Sequence, residues 1–244
     1  MSMTRDAFTR IRDAIVSGGL ELGEHLSEAA IANALRMSKA PVRAAFIELR
    51  DKGLVSVVPQ SGTYVFTPTP EDVRTMSEFR ALLEDQALRE AYRLRRDAMF
   101  GRLIAAVDIM REAIPKRDWD GYRAADNAYH MAFLEECGNP YILQAYNLTA
   151  SALEALRVRL QGGAGNFRER SFREHLEMLE LLQAGKLDET AAVLRNHILI
   201  INAWMAGQRF SADRGTRKLK GEDRDYTAIF ASDVSAPGRV SRSV

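Results

Sequence analysis

The sequence predicts a mainly α chain in two parts: three short helices closed by a β-hairpin, then an antiparallel bundle of about six longer helices. Three observations carry that prediction. Residues 1–66 hold three short helical patterns followed by two β-rich runs, residues 71–209 hold only long helical patterns, and Thr67-Pro68-Thr69-Pro70 lies between them. Each proline confines the residue before it to extended conformations, so residues 67–70 are expected to be a linker. With 244 residues, 46% of them hydrophobic, the chain can bury a core in each part.

In the first part, Ile11 and Ile15 mark one helix, and Ser27 is placed to cap a second that carries Ile31, Ala34 and Leu35 on one face. The turn Arg36-Met37 leads to Ser38, expected to cap a third helix whose stripe is Val42, Ala45, Phe46 and Leu49. Lys39 and Arg43 stand one turn apart beside that stripe. The β-rich runs Gly53–Val58 and Thr63–Phe66 flank Pro59-Gln60-Ser61-Gly62, which has turn chemistry and predicts a hairpin. His25, in the loop Gly23-Glu24-His25-Leu26, is expected on the solvated surface.

Two helices joined by a turn of this length match a helix-turn-helix, whose second helix offers its N-terminal residues to the DNA major groove, and the hairpin is then its wing. The formal net charge is only +1, so attraction to nucleic acid must come from local clustering of basic groups. Ala40 and Ala44 let the helix approach base edges closely, where Arg43 can bridge a guanine and Lys39 can meet a base or phosphate. The expected DNA-binding set is Ser38, Lys39, Ala40 and Arg43 on the helix, with Gln60, Ser61 and Gly62 at the wing tip. Simple solvation of Lys39 and Arg43 is the competing reading.

Breaks at Pro115–Asp118, Gly138-Asn139-Pro140, Gln161–Gly165 and Gly185 divide the second part into amphipathic helices. Asn139 is expected to cap a helix that begins at Pro140. Apolar periodicity stops near residue 209, so residues 210–244 read as a largely disordered tail, with Tyr226–Phe230 as a stretch able to dock. The single cysteine, Cys137, excludes an internal disulfide framework and is assigned to the core. No apolar run approaches the roughly 20 residues that span a bilayer, and no signal peptide is visible, which points to a cytoplasmic protein without a membrane partner.

Three of the four histidines, His130, His175 and His197, lie on inward helical stripes, and Asp126 sits one turn before His130. A lone buried histidine usually just finds a hydrogen bond. Three with an i, i+4 carboxylate, on three helices, are the donor types that hold a divalent ion such as zinc or nickel.

The first part resembles the GntR family of bacterial transcription regulators through Ile11, Ile15, Gly18–Gly23, Leu26-Ser27-Glu28, Ser38–Ala45, Leu49, Gly53-Leu54-Val55 and Gly62–Val65. In that family the positions of Lys39, Arg43 and Gly62 contact operator DNA. Lys39 replaces a more usual arginine, Ala29 an arginine of some members, and Ala44-Ala45-Phe46 the common Glu-Ala-Leu; these changes bear on which operator is read. The second part resembles the FCD effector domain of the FadR branch through Phe79-Arg80-x-x-Leu83-Glu84, Asp126-x-x-x-His130, Cys137–Pro140, His175-x-x-Met178-Leu179, Gly185–Asp188 and Arg195-Asn196-His197. Tyr129 replaces a more usual phenylalanine.

That resemblance implies that Asp126, His130, His175 and His197 hold the ion, and that Arg80 faces the effector cavity. A plain ion pair between Arg80 and Glu84 is the other reading of that arginine. The expected function is a homodimeric, ligand-responsive regulator that is not an enzyme. A small organic acid at the metal changes its affinity for double-stranded operator DNA, and it acts as a repressor. A metal-dependent enzyme in the bundle, or an architectural DNA-binding protein without effector, are the alternatives. Against the first stands the absence of a His-Glu-x-x-His stretch or a second catalytic base, and against the second the convergence of polar groups inside the bundle.

Overall fold

The computed structural model describes residues 2–161, 167–206 and 224–231. It divides into two compact units, Met1–Phe66 with Gly215–Val244, and Thr67–Arg214.

The first unit begins with α1 (Met3–Ser17), which Ser2 caps through Arg5 N–H at 3.2 Å and Gly18 ends with φ 86°. Its buried Ala7, Phe8, Ile11, Ala14 and Ile15 are spaced three and four apart, the spacing of one helical face. Two further helices, α2 (Glu28–Ala34) and α3 (Lys39–Asp51), are joined by a four-residue turn in which Arg36 takes φ 56°. Ser27 caps α2 through Ala30 N–H at 3.3 Å. Buried Val42, Ala45, Phe46 and Leu49 turn one side of α3 inward and leave Lys39, Ala40 and Arg43 exposed.

Strands β2 (Val55–Val58) and β3 (Gly62–Val65) pair antiparallel, Val58 opposite Gly62, and form the hairpin. A third strand that the sequence reading missed, β1 (His25–Leu26), pairs with β3 on the other side, giving the order β1-β3-β2. Two residues are too few to show a period, so β1 owes its conformation to its partner. His25 accordingly is not a free surface residue. Its ring packs edge-on against Tyr64, centroids 5.1 Å apart, and lies over Gly62.

Part of the tail, including the Tyr226–Phe230 stretch, belongs to the first unit. Residues 224–231 are folded, with a short helix α10 (Thr227–Ala231) packed against α1 within the first unit. Tyr226 and Phe230 are buried, and the Tyr226 hydroxyl donates to His25 O at 3.0 Å. Arg224 pairs with the buried carboxylate of Glu24 and donates to Gly19 O at 2.7 Å. The expectation of disorder for the rest of 210–244 falls on 210–223 and 232–244, outside the described residues.

The second unit contains, among its described residues, six helices: α4 (Pro70–Leu94), α5 (Arg96–Lys116), α6 (Trp119–Glu136), α7 (Pro140–Gln161), α8 (Phe167–Gln183) and α9 (Leu187–Ala206). Pro70, read as the end of a linker, is the first residue of α4. Thr69 and Asp72 close a reciprocal capping box around it, with bonds of 2.8 and 3.1 Å. The break between α4 and α5 at Arg95 has no glycine or proline to announce it. Asn139 accepts from Tyr141 N–H at 3.0 Å, the expected cap of α7. Helix α4 packs against α6, α7 and α9, so its residues Ser77, Arg80 and Glu84 are buried in the middle of the unit. Cys137 is buried.

Candidate functional site

Helical periodicity brings the four expected ligands together. Asp126 and His130 are one turn apart on the inner face of α6, His175 lies on α8 and His197 on α9. All four are buried, and one ligand atom from each falls within 4.8 Å of every other. His175 Nε2 is 3.4 Å from His130 Nε2 and 3.7 Å from Asp126 Oδ1. Donors about 2.0–2.2 Å from a common centre stand roughly 3–3.5 Å apart, so the donor chemistry and the spacing both fit a divalent ion.

Two carboxylates that the sequence reading did not assign to the site hold the rings in place. Glu84 on α4 meets His130 Nδ1 at 2.7 Å, and Glu174 on α8 meets His197 Nδ1 at 2.8 Å. A carboxylate on Nδ1 keeps that nitrogen protonated and leaves Nε2 as the lone pair for a metal. Tyr129 neither enters the cluster as a ligand nor lies idle: its hydroxyl donates to the His175 backbone carbonyl at 3.1 Å, where phenylalanine would leave that carbonyl without this donor.

Burial pushes all three imidazoles below their ordinary range, His197 to about 4, so that they are neutral and able to ligate. Burial alone would raise the Glu84 carboxyl, but Arg80 and His130 outweigh it and hold it ionised. Arg80 stands between a carboxylate and a cavity. Its Nε donates to Glu84 at 2.5 Å, and the side chain also lines a cavity with Ser77, Asp126, Arg157, Ser171 and His197. Arg157 on α7, absent from the sequence reading, pairs with Asp126. Its one sequence signal is Leu153, four residues earlier on the buried face.

In the first unit, Ser38, Lys39, Ala40 and Arg43 share the exposed face of α3, and Gln60 and Ser61 are exposed at the hairpin tip. Three local details bear on that face. Ser38 stands at the N-cap position but its side chain makes no capping bond, so the hydroxyl is free of that task. Arg43 forks onto Glu28 of α2, with contacts of 2.9–3.2 Å. Gly62, with φ 124°, has the His25 ring where a Cβ would be, at 2.5 Å, so a local packing reason for glycine stands beside any DNA contact. The Ser61 hydroxyl is bonded to the Tyr64 hydroxyl at 2.8 Å, and Gln60 takes φ 60°.

Among the described residues no helix is long and apolar enough to cross a membrane. Residues 3–65 match the gntR family of bacterial regulatory proteins, and residues 75–199 match the FCD domain. The chain is 24% identical to the HTH-type transcriptional repressor RspR of Escherichia coli over 216 residues, 88% of this chain and 90% of that one. It is 26% identical to the gluconate operon transcriptional repressor of Bacillus subtilis over 156 residues, 62% of this chain and 64% of that one. In fold it is similar to the crystal structure of a GntR regulator from Rhodococcus sp. RHA1, with TM-score 0.72 and 24% identity, covering 85% of this chain and 99% of the other. These relatives are regulators and not enzymes. A helix-turn-helix with its wing in one unit and an FCD bundle in the other identify the chain as a GntR-family transcription regulator of the FadR-like, FCD-containing subgroup.

Proposed function

We propose that the protein is a cytoplasmic, homodimeric repressor whose hold on operator DNA is released by a small carboxylate bound at a divalent metal in the FCD bundle. The observation that carries this reading is the buried convergence of Asp126, His130, His175 and His197 beside a cavity that Arg80 lines. Zinc or nickel suits three imidazoles and a carboxylate, and an open coordination position would accept a carboxylate oxygen. The residues of this chain orient the site: Glu84 and Glu174 fix two rings, and Arg80 presents a cation to the ligand. The repressor sign is supported by the names of two relatives, and a carboxylate effector by one of them, which controls a gluconate operon.

On the DNA side, Lys39 and Arg43 read the major groove, Ser38 and Ala40 lie against the same duplex, and Gln60, Ser61 and Gly62 meet its backbone through the wing. Two copies about a two-fold axis would match a pseudo-palindromic operator. The effector can shift the balance only by its differential affinity for the binding and non-binding arrangements, typically about 1–3 kcal/mol.

The test is His175→Ala. Metal content by elemental analysis is expected to fall to background and effector response to vanish, while the variant still shifts operator DNA in a titration at fixed salt. Full metal content in the folded variant would remove His175 from the ligand set.

A further inference from the structure

Two arginines line the cavity next to the metal cluster, Arg80 buried and Arg157 partly buried, and the carboxylates that pair with them are shared with other groups. Arg80 gives its Nε to Glu84, but its Nη2 is buried without a partner. Glu84 is itself divided between Arg80 and His130. Arg157 has Asp126 as its carboxylate partner, and Asp126 is also the only anionic member of the ligand cluster. A divalent ion at that cluster therefore draws on the same carboxylate that compensates Arg157. A cation held away from water needs a nearby anion to replace its hydration.

Two guanidiniums and one carboxylate line the cavity, with Glu84 behind Arg80, and a bound ion would add two further positive charges. A ligand with one carboxylate could satisfy the metal and Arg80, but it would leave Arg157 competing for Asp126. A ligand with two carboxylates, one at the metal and Arg80 and one at Arg157, satisfies every group. Guanidinium forks favour planar carboxylates at both ends. The apolar remainder of the lining, Leu153, Phe167 and Ile198 among it, suits a short carbon spacer.

We infer that the effector of this FCD site is a short dicarboxylate, held at one end by the metal with Arg80 and at the other by Arg157. This rests on the metal-site reading above and narrows it to a chemical class.

Calorimetry on the full-length, zinc-loaded protein can compare malonate and succinate with their monoamides, malonamate and succinamate, which have nearly the same shape and one charge less. At least one diacid is expected to bind 10-fold or more tightly than its monoamide, and Arg157→Gln is expected to reduce that preference to within about 3-fold while the monoamide changes little. Equal binding of diacid and monoamide in the wild type, or no binding of any of the four, overturns the inference without recourse to a variant. A preference that survives Arg157→Gln in a protein with native circular dichroism overturns the role of Arg157. Zinc stoichiometry measured on the same samples separates the two levels: a folded wild type that retains no zinc sinks the metal-site reading itself, whereas retained zinc without diacid selection sinks only the dicarboxylate.

Discussion

At the scale of single residues, the site depends on side chains that touch the ligand atoms from behind. Glu84 is buried between Arg80 and His130, and replacing it with glutamine keeps the shape while removing the charge that orients the ring. Loss of such a partner typically weakens metal affinity by about 10–100-fold. Competition with a chelator is expected to show Glu84→Gln in that range, and an unchanged affinity would make Glu84 a mere partner of Arg80. The imidazoles add a dependence on pH. Their folded values lie below the ordinary 6.5, with His197 at about 4, so between these values the unfolded chain binds more protons than the folded one. Stability of the metal-free protein, complete above about 6.5, is therefore expected to fall as the pH drops through that window. Thermal melts in EDTA at pH 7.5 and pH 5 would check it, and a melting temperature that does not fall would mean the rings are charged in the fold.

At the scale of elements, α3 and the segment around α10 each carry a prediction. Arg43 is exposed but spends its fork on Glu28, an exposed pair of the kind worth about 0–1 kcal/mol. On the proposed reading of α3, Arg43 leaves that pair to reach a base. Arg43→Ala is expected to cost about 1–3 kcal/mol of operator binding, whereas Glu28→Gln is expected to strengthen it by a few-fold. Fluorescence anisotropy at one salt concentration measures both, and weaker binding by Glu28→Gln would show that the pair positions Arg43 for DNA. In the same unit, Phe230 of α10 is buried, and the Arg10 guanidinium donates to its backbone carbonyl. Phe230→Ala is expected to destabilise the winged-helix unit by about 3 kcal/mol. Denaturant unfolding reads this, and no change would mean that the helix contributes nothing to that unit's stability.

At the scale of the whole molecule, the proposed function places metal, effector and DNA on one equilibrium. By reciprocity, an effector that weakens operator binding by a given factor must itself be bound more weakly by that factor when operator is present. Removing the metal is expected to abolish this coupling and to leave effector-free operator binding intact. Titrating effector with and without operator, before and after chelation, tests the expectation, and coupling that persists in the chelated protein would locate the effector elsewhere.

Local pattern determined much of this protein. The stripe Val42, Ala45, Phe46 and Leu49 fixes which face of α3 is exposed, and the inward positions of His130, His175 and His197 follow from a 3.6-residue period alone, because a helix sets its faces with its own backbone bonds. Ser27 and Asn139 announce their caps for the same reason: a cap acts within three residues. What depends on distant partners was decided only by tertiary structure. Glu84 reaches His130 across 46 residues, and Tyr226 reaches His25 across 201. Arg157 finds Asp126 only because α7 and α6 are packed into one unit. No periodicity encodes such pairings, since they arise when burial removes water from a charge and the nearest opposite group, wherever it lies in the chain, must replace it.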